Sequence, residues 1–345
     1  MQKIALIGFG NVGQGLAEIL HTKKAALARR HGYAASVVAV SDARLGAVCD
    51  PQGLDLGRLL RAVREKGSLD AYRGPGLARR WDALKTIRES GAEVVVEMAW
   101  TDLATGQPAI RHCETALKLG KHVVTSNKGP AALAQPRLAR LAAKHGVQLR
   151  IEGTVMSGTP VLSLALENLA GNDFTAIQGI LNGTTNYILS EMEAGADYAA
   201  ALDKAQALGY AEADPTGDVE GHDAAGKVAI LANLLMGGKL SPADVRCKGI
   251  TGIKAADVAK ARAAGKRWKL IGSVRRLPGG GLDARVEPVA LPLADPLAGV
   301  MGPTNAVSFE TDLLGKVTVV GPGAGRVQTG FAILSDLIAI ARSRA

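Results

Sequence analysis

Short apolar runs alternate with longer amphipathic stretches through the first 150 or so positions of the chain. Residues 3–7 (KIALI) are followed at once by Gly8-Phe9-Gly10-Asn11-Val12-Gly13 and then by a helical periodicity reaching about position 27, which reads as strand, tight turn, helix. Residues 35–41 (ASVVAVS), 92–98 (AEVVVEM), 122–125 (HVVT) and 147–151 read as further strands, while 54–83, 104–119 and 136–145 read as helices. Apolar strands separated by helices build a parallel sheet covered on both faces, so this part predicts a Rossmann-type, doubly wound α/β domain.

The texture changes after Glu152. Gly, Thr and Ser cluster through Gly158, a helix is expected at about 160–169, and 175–181 (TAIQGIL) reads as a strand. Residues 197–208 and 221–236 read as helices, and from 250 to 308 helices alternate with short strands and glycine-rich turns such as 279–281. Residues 328–344 form an amphipathic helix after Gly321-Pro322-Gly323-Ala324-Gly325. The expectation is a second domain of α+β type at 136–310, with the first at 1–135 completed by 311–345.

Composition narrows the function classes. At 345 residues the chain exceeds a single core, and 47% hydrophobic with 21% charged residues describes a folded protein. The net charge of +9 comes from scattered Lys and Arg without interleaved aromatic residues, which make up 3% of the chain, so nucleic acid is not an expected partner. A basic surface suited to an anionic cofactor explains the charge more simply. Cys49, Cys113 and Cys247 form no CxxC pair, which argues against a disulfide framework and fits a reducing compartment. The N-terminus opens as a strand rather than a secretory leader and no window is apolar enough to span a membrane, so a cytoplasmic location is expected.

The candidate chemistry begins at the glycine turn. Gly8, Gly10 and Gly13 let the backbone bend tightly and let a pyrophosphate approach the first amides of the next helix, a dinucleotide site that also takes in Phe9, Asn11 and Val12. Asp42 suits a free ribose 2′-hydroxyl, whereas Arg44, with Ser41, suits a 2′-phosphate; both NAD and NADP stay open, with a lean to NADP. Residues 209–227 hold the second constellation. Asp223 and Lys227 lie four apart on one helix face, where a fixed ammonium can stabilise and protonate an oxygen gaining charge as its carbon receives hydride. Asp223 would orient the lysine, and Glu212, Asp218 or both would bind the ammonium of an amino-acid substrate. The competing interpretation is an exposed helix pair of small energetic weight. Lys128 follows the HVVT strand at its carboxyl end, where open α/β sheets bind ligands, or is an ordinary loop lysine.

Residues 179–189 (GILNGTTNYIL), 207–215 (ALGYAEADP) and 218–227 together resemble the homoserine dehydrogenase signature, and the similarity extends to the glycine turn, to 125–130 (TSNKGP), to 152–155 (EGTV) and to GPGAG at 321–325. The resemblance covers nearly the whole chain. It implies NAD(P)-dependent interconversion of L-homoserine and L-aspartate 4-semialdehyde, with Lys227 and Lys128 facing the reacting oxygen and Asp223 supporting Lys227. It further implies that Glu212 and Asp218 hold the substrate amino group, that Gly183, Thr184 and Tyr210 line the pocket, and that the loop at Gly325 approaches the cofactor. A monovalent cation such as Na+ would be held by Glu152 and the carbonyls of Val155, Ser157 and Thr159, and a homodimer would form through the second, catalytic and dimerisation domain. Gln328 stands where the family pattern leads one to expect proline, and a short form of the family without a C-terminal regulatory domain is expected. His222, His112 and Cys113 are expected to pack or face solvent, and Trp100 to flank the nicotinamide or cover the core. Rival readings are a dehydrogenase of another amino-acid-like alcohol or semialdehyde, and a non-catalytic dinucleotide sensor.

Overall fold

Seven strands make the first sheet: β1 (Gln2–Ile7), β2 (Ala35–Asp42), β3 (Gly46–Cys49), β4 (Ala78–Arg79), β5 (Val94–Glu97), β6 (His122–Thr125) and β7 (Leu149–Arg150), arranged in space as β4-β3-β2-β1-β5-β6-β7 in a computed structural model that describes residues 1–343. The five strands from β2 to β7 run parallel. Their residues are buried on both faces, with Ile4, Leu6, Val38, Val40, Val94, Val96, Val123 and Val124 all shut off from solvent, which is why the sequence shows runs rather than alternation. Sequence order reverses at β1, since β2 lies on one side and β5 on the other, so the crevice beyond the carboxyl end of β1 is the topological switch point.

Helices α1 (Asn11–Thr22), α2 (Lys24–His31), α3 (Leu56–Lys66), α4 (Ala83–Glu89), α5 (Ala109–Lys118), α6 (Lys128–Leu133) and α7 (Gln135–Lys144) connect these strands. A C-terminal helix, Arg326–Arg342, returns to the same unit and packs on α1. It crosses at Gly15 and Gly330, where a methyl on Gly330 would meet the Leu16 nitrogen at 2.8 Å.

Two compact units result, Met1–Gly158 with Gly325–Ala345, and Thr159–Ala324. The boundary expected at 135 lies later because β7 belongs to the first sheet and α7 packs on α5 and β7, and the return expected at 311 lies later because residues 304–322 form a hairpin of the second. Two short strands pair antiparallel at the edge of the first sheet, β3 where no element was expected and β4 inside the stretch expected to be helical. The helix expected from 104 begins at Ala109. Pro108 disfavours helical geometry in the residue before it, and Asp102 takes the N–H groups of Ala104 and Thr105 into a local turn instead.

The second unit holds α8 (Val161–Ser163), which leads into a π-helical turn at Leu164–Asn168, then β8 (Phe174–Ile180), α9 (Gly183–Glu193), α10 (Tyr198–Ala207), α11 (Thr216–Val219), α12 (His222–Leu235), β9 (Arg246–Cys247), α13 (Ala255–Ala263), β10 (Lys266–Arg276), β11 (Leu282–Pro292), β12 (Thr304–Thr311) and β13 (Gly315–Pro322). Its six-stranded sheet has the order β13-β12-β8-β10-β11-β9, antiparallel except where β9 joins β11. Helices α9, α12 and α13 pack against it. Strands β10 and β11 are eleven residues each, longer than the short strands expected there, because residues 277–281 with three positive-φ glycines close them into one hairpin.

Candidate active site

In the first unit the glycine turn is held by its neighbours. The N–H of Gly8 donates to the Ser41 carbonyl at 2.8 Å, and a side chain on Gly8, whose φ is +94°, would come within 2.5 Å of the Met98 carbonyl. The Phe9 N–H donates to Asp42 Oδ2 at 2.7 Å, while Asp42 Oδ1 accepts from Arg44 and Leu45 at 2.9 and 3.0 Å. Three main-chain donors thus fix the Asp42 carboxylate at the tip of β2. Gly10 caps α1 in extended geometry with no side-chain bond, and a Cβ placed on it would meet no atom within 4 Å. Open space at Gly10 beside an uncapped helix N-terminus is a cradle that fits a pyrophosphate.

Gly325, at φ +133°, caps the C-terminal helix, and the Gln328 side chain folds back onto the space a Cβ would need there. Glu152 is buried, with its N–H donating to Asp336 Oδ2 at 3.0 Å, and Met156 and Ser157 both adopt left-handed backbone geometry (φ +55° and +52°), an arrangement that non-glycine residues hold only when their surroundings enforce it. Ser157 Oγ shares a hydrogen bond of 2.7 Å with the Thr329 hydroxyl. Val155 is buried in the same unit, and Thr159, the first residue of the second unit, bonds the Pro322 carbonyl there. Lys128 is half-buried as the first residue of α6, after an Asn127 cap.

In the second unit the signature residues converge. Strand β8 ends at Ile180, and Asn182 then caps α9, its Oδ1 accepting from Thr185 at 2.9 Å. The Asn182 amide nitrogen donates to Asp218 Oδ1 at 2.7 Å and to Asp223 Oδ2 at 3.1 Å. Lys227 Nζ donates to the same Asp223 oxygen at 2.8 Å and to the Leu181 carbonyl at 2.6 Å. Lys227 is 7% exposed, so the interpretation as an exposed helix pair does not hold. Gly221, at φ +85°, opens α12 where any side chain would meet Val286 and Cys247, and this tight entry places Asp223 and Lys227 on the inward face.

Burial raises the pKa of Asp218 above the usual aspartate value, and the nearby Asp223 charge adds to that, with the Asn182 and Thr184 hydrogen bonds and the Lys227 charge pulling the other way. The Thr184 hydroxyl donates to the Tyr210 carbonyl at 2.6 Å, and the Tyr210 ring sits 5.0 Å from that of Tyr187. Glu212 lies exposed in the following turn, outside the bonded cluster of Asn182, Asp218, Asp223 and Lys227.

Asn182 had no assigned role in the sequence reading, although an Asn before Gly-Thr-Thr carries the signal of a helix cap. His112 and Cys113 are both buried, so neither faces solvent, and burial with the Glu97 charge pushes the Cys113 thiol well above its ordinary pKa. Trp100 is 63% exposed and does not cover the core, while His222 is exposed. Among the described residues no cluster of three or more His, Cys, Asp or Glu could hold a metal ion, and no helix is long and apolar enough to cross a membrane.

A switch-point nucleotide cradle in one unit and a buried lysine–aspartate pair in the other define a nicotinamide-dependent oxidoreductase. Residues 160–338 match the family model described as homoserine dehydrogenase, and residues 8–152 match that of the homoserine dehydrogenase NAD binding domain. The NAD(+)-dependent homoserine dehydrogenase of Pseudomonas canavaninivorans is 47% identical over 99% of this chain and 96% of its own length. A crystal structure from Archaeoglobus fulgidus, provisionally described as a homoserine dehydrogenase, superposes with a TM-score of 0.89 at 40% identity, covering 99% of each chain. A hyperthermophilic archaeal homoserine dehydrogenase in complex with NADPH gives 0.84 at 28% identity over 99% of this chain and 98% of that one. The chain belongs to the homoserine dehydrogenase family, and it is an NAD(P)-dependent enzyme acting on a CH–OH group.

Proposed function

We propose that the Asn182–Asp218–Asp223–Lys227 cluster is where this chain interconverts L-homoserine and L-aspartate 4-semialdehyde. The observation that carries the reading is the Lys227 ammonium, buried and aimed by two acceptors, Asp223 and the Leu181 carbonyl. These account for two of its three protons, and the third is available to the substrate oxygen. Bound nicotinamide supplies the chemistry of accepting or returning a hydride at the substrate's terminal carbon. In the reducing direction Lys227 stabilises the charge that develops on the aldehyde oxygen and gives it a proton, and Asp223 holds the ammonium in place. Lys128, beyond the carboxyl end of β6 in the first unit, is a second cation of the reaction.

Asp218 takes the substrate ammonium together with Glu212, which has to swing inward from its exposed turn. The first amides of α9, at Gly183 and Thr184, suit the substrate carboxylate, because the opening turn of a helix leaves such donors without helical acceptors. Tyr210 flanks the same place.

For the cofactor, the fixed carboxylate of Asp42 supports NAD over NADP, against the lean that Arg44 gives in the sequence, since a 2′-phosphate would meet an anion that three backbone donors prevent from turning away. A monovalent cation such as Na+ fits the hard oxygens of Glu152 and the Val155, Ser157 and Thr159 carbonyls, in keeping with the enforced turn at Met156 and Ser157. We place the enzyme in the cytoplasm as a homodimer.

The deciding assay is homoserine-dependent reduction of NAD and of NADP at alkaline pH, with and without Lys227→Ala. The variant is expected to lose turnover by about 10²–10⁴-fold while binding cofactor as before. Unchanged turnover removes Lys227 from the chemistry, and a higher kcat/KM with NADP removes the argument from Asp42.

A further inference from the structure

Glu97 ends β5 with a carboxylate wholly shut off from solvent, and no step above uses it. A buried carboxylate persists where it is bonded, so its partners show what it holds. Oε1 accepts the Ala99 N–H at 3.1 Å and lies 3.4 Å from His112 Nδ1. Oε2 lies 3.3 Å from the Thr125 hydroxyl, which also donates to the Glu97 carbonyl at 2.9 Å. Thr125 is the last residue of β6, and its hydroxyl accepts the Asn127 N–H at 3.0 Å. Asn127 completes the circuit. Its Oδ1 caps α6 by accepting from Gly129 at 3.0 Å, and its amide nitrogen donates to the Ala99 and Trp100 carbonyls, both at 3.1 Å. The bonds therefore run from Glu97 across two strand tips to the first turn of α6, whose first residue is Lys128.

We infer that Glu97 is a positioning residue that, through Thr125 and Asn127, fixes the turn presenting Lys128 to the reaction. The inference rests on the reading of Lys128 as a cation of that reaction. The physical case is one of precision. Lys128 opens a six-residue helix too short to be stable by itself, and its Asn127 cap is held by the circuit that starts at Glu97. A displacement of about 1 Å at a reacting group costs on the order of 10²-fold in rate. Glu97 serves as an acceptor for both strand tips at once, with a charge that strengthens each bond it receives.

A double-mutant cycle tests this on the full-length protein. Glu97→Ala is expected to lower kcat by about 10–100-fold with the dissociation constant for nicotinamide cofactor changed less than about threefold, and Glu97→Gln, which keeps the shape and one of the two acceptors but loses the charge, is expected to recover part of the turnover. In a Lys128→Ala background Glu97→Ala should cost nothing further, because what it positioned is gone. Losses that multiply in the two backgrounds, or a folded Glu97→Ala enzyme of full turnover, overturn the proposal. Should Glu97→Ala fail to fold, Thr125→Val takes its place in the same cycle, removing the hydroxyl link while keeping the shape. Lys128→Ala alone reports separately on the parent reading, since full turnover there refutes the role of Lys128 itself.

Discussion

Lys269 lies 1% exposed inside the second unit, its ammonium bonded to Asn186 Oδ1 at 2.8 Å and to the Val300 carbonyl. Burial, with the Arg267 charge, pulls its pKa down to about 8 from 10.5. Between those two values the unfolded chain holds a proton that the folded chain does not, so this group makes stability rise with pH across that window. The urea stability of the wild type relative to Lys269→Met is expected to rise by about 2 kcal/mol from pH 7.5 to pH 10. A flat difference refutes the assignment. Asp218 carries the opposite kind of shift, since its raised pKa brings the neutral carboxyl into play at a higher pH than for an ordinary aspartate. The KM for homoserine should therefore climb as pH falls through that raised value, and Asp218→Asn should raise KM about 10–100-fold, remove this acid limb and change kcat less.

Among the elements, the crossing of α1 with the C-terminal helix is the contact with least slack, because main chain meets main chain at Gly15 and Gly330. Gly330→Ala is expected to destabilise the enzyme by about 1–3 kcal/mol, read as a lower urea midpoint at unchanged slope. Gly252→Ala, with open space around it, should stay within about 0.5 kcal/mol of the wild type. The strands and helices that carry the site were legible in the sequence because their local signals agree: the apolar runs of β1, β5 and β6, the glycine turn after β1, and the helical spacing that pairs Asp223 with Lys227. Strands β3 and β4 were not, being two to four residues long and specified by pairing to β2 rather than by their own pattern. The hub role of Asn182 and the buried circuit of Glu97 were equally hidden, since both depend on side chains brought together from distant positions, 182 with 218 and 223, and 97 with 125 and 112.

At the scale of the molecule, the β12–β13 hairpin leaves Leu313, Leu314 and Val320 more than half exposed at one edge of the second sheet. Apolar edges of this kind favour association, and they support the homodimer proposed here. Light scattering should give twice the chain mass, and Val320→Glu should shift the population toward the monomer; a wild type that stays monomeric at micromolar concentration refutes the dimer. The two-unit arrangement also governs how the polypeptide matures. Leu16, Leu20, Leu334 and Leu337 share one core, yet the whole of the second unit lies between them in the chain. On the ribosome, the face of α1 that packs on residues 326–342 stays uncovered until they have emerged, so the unit synthesised first is completed last, and chaperone dependence should be concentrated in that interval.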